Sequence, residues 1–172
     1  MKKMFFTLVV ACFFSAEIFA QSLGTGSFRG VSYTKVPSGY RFPKHEGNVV
    51  NSLNAPSIIY SPNRRYFLVY FVSGAATEVG RLVLYKAGSN QILWRSGGIG
   101  GVGACVMQTD GNLVIYRLSD ERWVPIRDGG PVWSSNTHNN DGAFLAIQND
   151  GNVVVYNQNN TRALWATGTN GR

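Results

Sequence analysis

The sequence predicts an all-β fold, on three observations. No stretch after the first twenty residues keeps the apolar spacing of an amphipathic helix, because Gly and Asn clusters interrupt each one. From Asn51 onward, short apolar runs are bounded by Gly, Asn, Asp and Ser, the punctuation of strands and tight turns. Three segments of the chain also resemble one another at a regular spacing. Composition agrees. Aromatic residues make up 13% of the 172 and favour strands, while charged residues reach only 15%, too few for a disordered tail or a coiled coil. This length allows one domain with its own core and leaves little room for two.

Residues 1–20 read as a secretory signal peptide. Lys2 and Lys3 form a basic start, an apolar run follows from Met4 to Phe14, and Ile18-Phe19-Ala20 precedes Gln21 as a cleavage site. The expected product is therefore secreted or extracellular, with the periplasm or cell surface as variants. Two other readings stand beside this one. The segment is an uncleaved anchor, although Glu17 shortens its apolar stretch. Alternatively Cys12 is lipidated, since Val9-Val10-Ala11-Cys12 resembles a lipobox. Cleavage would leave Cys105 as the one cysteine, which cannot form an internal disulfide. No later segment is apolar enough to span a bilayer, so no membrane span is expected. Residues 21–50 hold Gly, Ser and Pro among scattered Lys and Arg, and read either as a flexible arm or as an added strand.

Residues 51–172 carry the repeats. The first is Gly80-Arg81-Leu82-Val83-Leu84-Tyr85 with Leu93-Trp94 downstream. The second runs from Gln108 to Tyr116 with Val132-Trp133, and the third from Gln148 to Tyr156 with Leu164-Trp165. Tyr85 to Trp94 and Tyr156 to Trp165 both span 9 positions, whereas Tyr116 to Trp133 spans 17. The excess lies at about 117–130, where Asp120-Glu121-Arg122-Trp123-Val124-Pro125 suits a surface loop. A period of about 31 residues made almost wholly of strand implies a three- or four-stranded unit repeated three times.

The second and third repeats share a nonapeptide with chemical content. Asp-Gly between apolar runs is a hairpin signal, and Gly111 supplies the positive φ of a three-residue loop. Strand alternation then puts Gln108, Asn112, Val114 and Tyr116 on one face and Met107, Leu113 and Ile115 on the other. The second face is core. The first is composed for a neutral polyol. Asp110 only accepts hydrogen bonds, Gln108, Asn112 and Tyr116 do both, and Val114 offers an apolar contact for a sugar's C–H face. Gln148, Asp150, Asn152, Val154 and Tyr156 repeat the set. One Asp-Gly-Asn turn is ordinarily just a hairpin. The duplicated Gln, Val and Tyr are not required by any turn, and they make the face a carbohydrate-binding candidate.

At both places the pattern Gln-x-Asp-x-Asn-x-Val-x-Tyr resembles the motif of the bulb-type mannose-binding lectins. Trp133 with Ser135 and Thr137, and Trp165 with Thr167 and Thr169, also resemble that family. The resemblance implies a β-prism II fold, three four-stranded antiparallel sheets about a pseudo-threefold axis, with Trp94, Trp133 and Trp165 meeting in the centre. It implies a lectin for mannose-containing glycans, not an enzyme, with no cofactor and no need of calcium. Asp110 and Asn112 would bind the axial O2, Gln108 O3 and Tyr116 O4, with Val114 packing on the C3–C4 edge. Asp150, Asn152, Gln148, Tyr156 and Val154 would repeat those roles. Glucose, with O2 equatorial, would leave the Asp–Asn pair unmatched, at about 1–3 kcal/mol.

The first repeat departs from the pattern. Its motif positions are Thr77, Val79, Arg81, Val83 and Tyr85, so Gln, Asp and Asn are gone, and Arg81 cannot accept a hydrogen bond. That site is expected to be degenerate. Gly80 stands where the family's disulfide would have a partner for Cys105, which is therefore expected to be free and buried. Family members often dimerise by exchanging the C-terminal strand, and 161–172 is compatible with that. A lectin-like bacteriocin using the same sugar sites for targeting is the competing reading of function.

Other chemistry is poorly supported. His45 and His138 lack metal-ligand spacing, and no Asp-rich run suggests calcium. Asp110 and Asp150 belong to separate repeats, so they would not form a glycosidase pair. A net charge of +7 is modest and its basic residues are scattered, Arg64 and Arg65 sitting at a turn, so no nucleic-acid partner is expected.

Overall fold

The computed structural model describes residues 23–40, 58–71, 80–89, 91–98, 103–117 and 131–172. Residues 1–22 with Cys12, and His45, Thr77, Val79 and the insertion at 118–130, lie outside the described residues.

The first described elements form an antiparallel hairpin, β1 (Gly24–Phe28) and β2 (Val31–Val36), turned at Arg29-Gly30, both with positive φ. The three repeats follow as three antiparallel sheets. The first is β3 (Ile58–Tyr60), β4 (Tyr66–Phe71), β5 (Arg81–Lys86) and β6 (Gln91–Arg95), side by side in that order. The second is β7 (Gly103–Met107), β8 (Leu113–Arg117) and β9 (Pro131–Ser134). The third is β10 (Phe144–Gln148), β11 (Val153–Tyr156) and β12 (Ala163–Ala166). Among the described residues no helix occurs, and none is long and apolar enough to cross a membrane.

Among the described residues the first sheet has the expected four strands. β2 pairs with β10 and carries β1 with it, so the third sheet has five strands in the order β1-β2-β10-β11-β12. The second has three among the described residues, and the backbone just after β2 flanks it. Gly39 N–H donates to the Met107 carbonyl (2.7 Å) and Met107 N–H to the Tyr40 carbonyl (2.9 Å). One N-terminal segment thus covers the outer edges of two sheets, which would otherwise present unpaired backbone. β12 pairs with β11 of its own chain.

Each repeat ends alike. The pairing shifts register between Leu84 and Tyr85, between Ile115 and Tyr116, and between Val155 and Tyr156. The extra residue falls just before the Trp of the facing strand, at Leu93, Val132 and Leu164. Such a bulge bends the strand and breaks alternation, so Leu93 and Trp94, like Leu164 and Trp165, both pack on the core. The three Trp rings close the axis. Their centroids are 5.5–5.7 Å apart and every pair meets edge to face, at 66–74°. That geometry is the favoured one for aromatic quadrupoles.

Behind the Trp rings lies one core, built from the inward residues of all three sheets. It includes Leu82, Leu84, Met107, Leu113, Ile115, Leu145, Ile147 and Val155, all essentially without exposure. Met107, Leu113 and Ile115 therefore point where strand alternation places them. Cys105 is free and fully buried in this core, and burial pushes its thiol well above the ordinary range.

Two outcomes are expected. Leu145→Ala should lower stability by about 2–5 kcal/mol, read from the urea midpoint. Cys105 should resist a thiol reagent at pH 8 while the protein is folded and react fully in denaturant; rapid reaction of the native protein would show that the core is open.

Candidate functional site: the hairpin faces of the second and third repeats

Each site is built on a three-residue turn. Gln108 N–H donates to the Asn112 carbonyl (2.8 Å), and Gly111 N–H donates back to the Gln108 carbonyl (3.1 Å). Gln148, Asn152 and Gly151 repeat this at 2.9 and 3.2 Å. Gly111 and Gly151 both sit at φ +89°, where other residues are strained. They are also closely approached. A Cβ on Gly111 would strike the Asn140 carbonyl, and one on Gly151 would lie 2.7 Å from the Tyr66 ring.

Asp110 and Asp150 each use one carboxylate oxygen inside the turn, accepting from the N–H of Asn112 (3.0 Å) and Asn152 (2.9 Å). This is an Asx turn, and it leaves the second oxygen as an acceptor.

Asn112 and Asn152 are half-used as well. The Asn112 amide oxygen accepts from the Ser135 hydroxyl (3.2 Å) and the Thr137 N–H (3.1 Å). The Asn152 oxygen accepts from the Thr167 hydroxyl (2.9 Å) and from the N–H groups of Gly168 (3.0 Å) and Thr169 (3.3 Å). A backbone N–H can only donate, so the atom facing it must be the amide oxygen. The NH2 group is thereby turned away from the staple, as a donor.

The hydroxyls finish the staple. Ser135 accepts the Leu113 N–H (3.0 Å) and Thr167 the Val153 N–H (3.0 Å). Thr137 donates to the Gly111 carbonyl and Thr169 to the Gly151 carbonyl, both at 2.6 Å. The sequence marked these four residues through their spacing from the Trp, but it did not show that they aim the Asn.

Gln and Tyr close each face. Gln108 Nε2 donates to the Tyr116 hydroxyl (2.8 Å) and Gln148 Nε2 to the Tyr156 hydroxyl (2.9 Å). Each phenol keeps its proton to donate, and each Gln keeps its carbonyl oxygen to accept. Val114 and Val154 lie buried between them. The structure thus brings all ten sequence-predicted residues together as two groups of five. Each group presents a carboxylate oxygen and a Gln oxygen as acceptors, and an Asn NH2 and a Tyr O–H as donors. A sugar hydroxyl both donates and accepts, so one seated between the Asp oxygen and the Asn NH2 would be matched on both sides.

The two groups differ in exposure. Gln108 and Tyr116 are half-buried, whereas Gln148 and Tyr156 retain 4% and 3%. Residues of the N-terminal hairpin make the difference. Tyr33 and Phe28 pack with Phe144, Ala146, Val154 and Tyr156 in a separate apolar cluster. Burial pushes the Tyr156 phenol above its ordinary value, against the opposing effects of the Gln148 bond and the Arg29 guanidinium. No sequence signal linked residues so far apart in the chain.

The first repeat keeps the staple and loses the rest. Leu82 N–H donates to the Ser96 hydroxyl (2.9 Å), as in the other two repeats. At the Asn position, Arg81 Nη1 donates to the Ser96 carbonyl (3.1 Å). Gly98 stands where the other repeats have Thr137 and Thr169, and a Cβ there would collide with the Arg81 side chain. Arg81 therefore fills the space of the missing threonine. The remaining outer face is apolar, with Phe67, Val69, Phe71, Val83 and Tyr85 packed together and Phe67 stacked on Tyr85 at 5.0 Å. Among the described residues no group of His, Cys, Asp and Glu is placed to hold a metal ion.

No protein-family model matches the chain. The mannose-specific lectin of Aloe arborescens is 33% identical over 90 residues, 51% of this chain and 71% of that lectin. The chain belongs to the bulb-type (monocot) mannose-binding lectin family. The mannose-specific lectin of Galanthus nivalis is 39% identical over 56 residues, and this chain spans only 29% of its length. Among solved structures, a monomeric monocot mannose-binding lectin of Gastrodia elata is similar at 30% identity. The match covers 79% of this chain and 97% of that one, with a TM-score of 0.52. A Marasmius oreades lectin aligns at 26% identity over 78% of this chain and 90% of its own, with a TM-score of 0.54. The family's β-prism, three antiparallel sheets about a pseudo-threefold axis, is the fold described above. Lectins of this family bind carbohydrate and are not enzymes.

Removing a staple hydroxyl should harm the site through the fold. Thr137→Val removes the hydroxyl that donates to the Gly111 carbonyl, at an expected loss of about 1–3 kcal/mol by chemical denaturation. Unchanged stability would show that the staple is dispensable.

Proposed function

We propose that this chain is a secreted, calcium-independent lectin that recognises mannose-type glycans through the hairpin constellations of its second and third repeats. One observation carries the reading. In both constellations the turn and the staple consume one half of the Asp and one half of the Asn, leaving an acceptor beside a donor. The Gln–Tyr pair lies next to them with the same balance. Membership of a mannose-binding family supports mannose as the sugar, because its axial O2 suits an acceptor and donor held side by side.

The first repeat is degenerate in this reading. Arg81 only donates, and its guanidinium is engaged with the Ser96 carbonyl. Calcium has no part, since the side chains themselves supply both the donors and the acceptors that a hydroxyl needs. The basic and apolar leader directs export, with Gln21 as the first residue of the exported chain. A shallow site of this kind should bind a single mannose near millimolar, about −4 kcal/mol, so tight binding needs several sugars at once.

The test is a glycan array probed with residues 21–172 in chelator, beside the Asp110→Asn/Asp150→Asn double variant. Mannose-selective signal that the double variant loses is the expected result. A folded wild-type protein that ignores mannose would overturn the reading. N-terminal sequencing of the exported protein should begin at Gln21.

A further inference from the structure

The two constellations are chemically equal but not equally reachable, and the cause is the hairpin β1–β2. Its strand β2 joins the edge of β10 with Tyr33 opposite Gln148. From there the hairpin sets its rings on the outer face of the third sheet. Phe28 lies 4.9 Å from the Tyr156 ring, and Tyr33 lies 6.1 Å from Tyr156 and 5.8 Å from Phe144. The Tyr33 phenol rests over Gly26, where a Cβ would come within 2.6 Å of its Cζ. A side chain at that position would push the ring off the face. Lys35 adds a cation 4.3 Å above the Phe144 ring. The far end is tied down too, since Asn160 Nδ2 in the turn between β11 and β12 donates to the Ser27 carbonyl (3.1 Å).

We propose that the protein's own N-terminal hairpin occupies the sugar face of the third repeat, so that each chain offers one open mannose site, at the second repeat. This rests on the lectin reading above. The contacts assigned to O3 and O4 come from Gln148 and Tyr156, and these are the two residues that the hairpin shields. Asp150 and Asn152 keep partial exposure, so the O2 end of the constellation still meets solvent. Half a site cannot hold a sugar that is weakly bound even by a whole one. At the second repeat the same N-terminal segment passes differently. There the Ser38 hydroxyl lies 3.5 Å from the Gln108 backbone carbonyl, which leaves the Gln108 side-chain oxygen untouched. The hairpin thus sets the valency of the chain, and anything that lifts Phe28 and Tyr33 would raise it.

The experiment is a mannose titration followed by amide NMR on residues 21–172. Wild type should show one saturable site, with shifts confined to the second repeat. Asp110→Asn should lose saturable binding altogether, a fall of at least tenfold in affinity. Adding Phe28→Ala, or separately Asn160→Ala at its exposed turn, to the Asp110→Asn chain should restore mannose binding with shifts at the third repeat. Asp150→Asn should then abolish it. Saturable binding at the third repeat in Asp110→Asn with the hairpin intact would overturn the proposal. So would failure of both hairpin variants, shown folded by their amide spectra, to restore binding. A wild-type protein with no mannose response at either repeat would instead sink the lectin reading itself.

Discussion

The arrangement depends on an amide oxygen that is never offered to a ligand. In the second and third repeats, the Asn oxygen is held by the segment that follows the axial Trp, through a hydroxyl and one or two backbone N–H groups. That contact joins the hairpin tip to the strand carrying the Trp, and so to the axis. It also settles which end of the amide faces outward. Without it, the NH2 group beside the Asp oxygen would have no fixed direction, and a weak site depends on groups that need no ordering at the moment of binding. Fold and site are thus served by opposite ends of one side chain.

The first repeat shows the two uses separated. Arg81 with Gly98 replaces Asn with Thr, and the tie to the Trp strand survives as a guanidinium bonded to a backbone carbonyl. The Trp94 ring keeps its place in the triad at 5.5–5.7 Å from its partners. The outward donor beside a carboxylate does not survive. The face then carries Phe67, Phe71 and Tyr85, packed together and buried. A repeat can therefore lose its polar chemistry and remain a full structural third of the prism.

Much of this was legible because strand alternation is a local rule. The inward set Met107, Leu113 and Ile115, the positive φ at Gly111, and the grouping of Gln108 with Tyr116 all follow from residues within nine positions of one another. The roles of Ser135 and Thr169 were only half legible. Their spacing from the Trp was visible, but which atoms they bond depends on a bulge that no composition rule places. The strands Gly24–Phe28 and Val31–Val36 were legible only as one of two readings of residues 21–50, a flexible arm or an added strand. Gly-rich segments with scattered charge form strands only where a partner edge exists, and β10 supplies that edge from over a hundred residues away.

The sequence by itself determined the all-β class, the threefold repeat, the residues that make up each constellation and the departure of the first repeat from the motif. These are carried by short-range periodicity and turn chemistry, which the linear chain contains in full. Tertiary structure alone decided that the sheets hold five, four and three strands among the described residues, that the Asn amides point their NH2 groups outward, and that Phe28 and Tyr33 lie on the third face. The physical reason is common to all three. Each depends on which backbone edge or aromatic ring a distant segment meets once the core has closed, and that is a property of the packed chain.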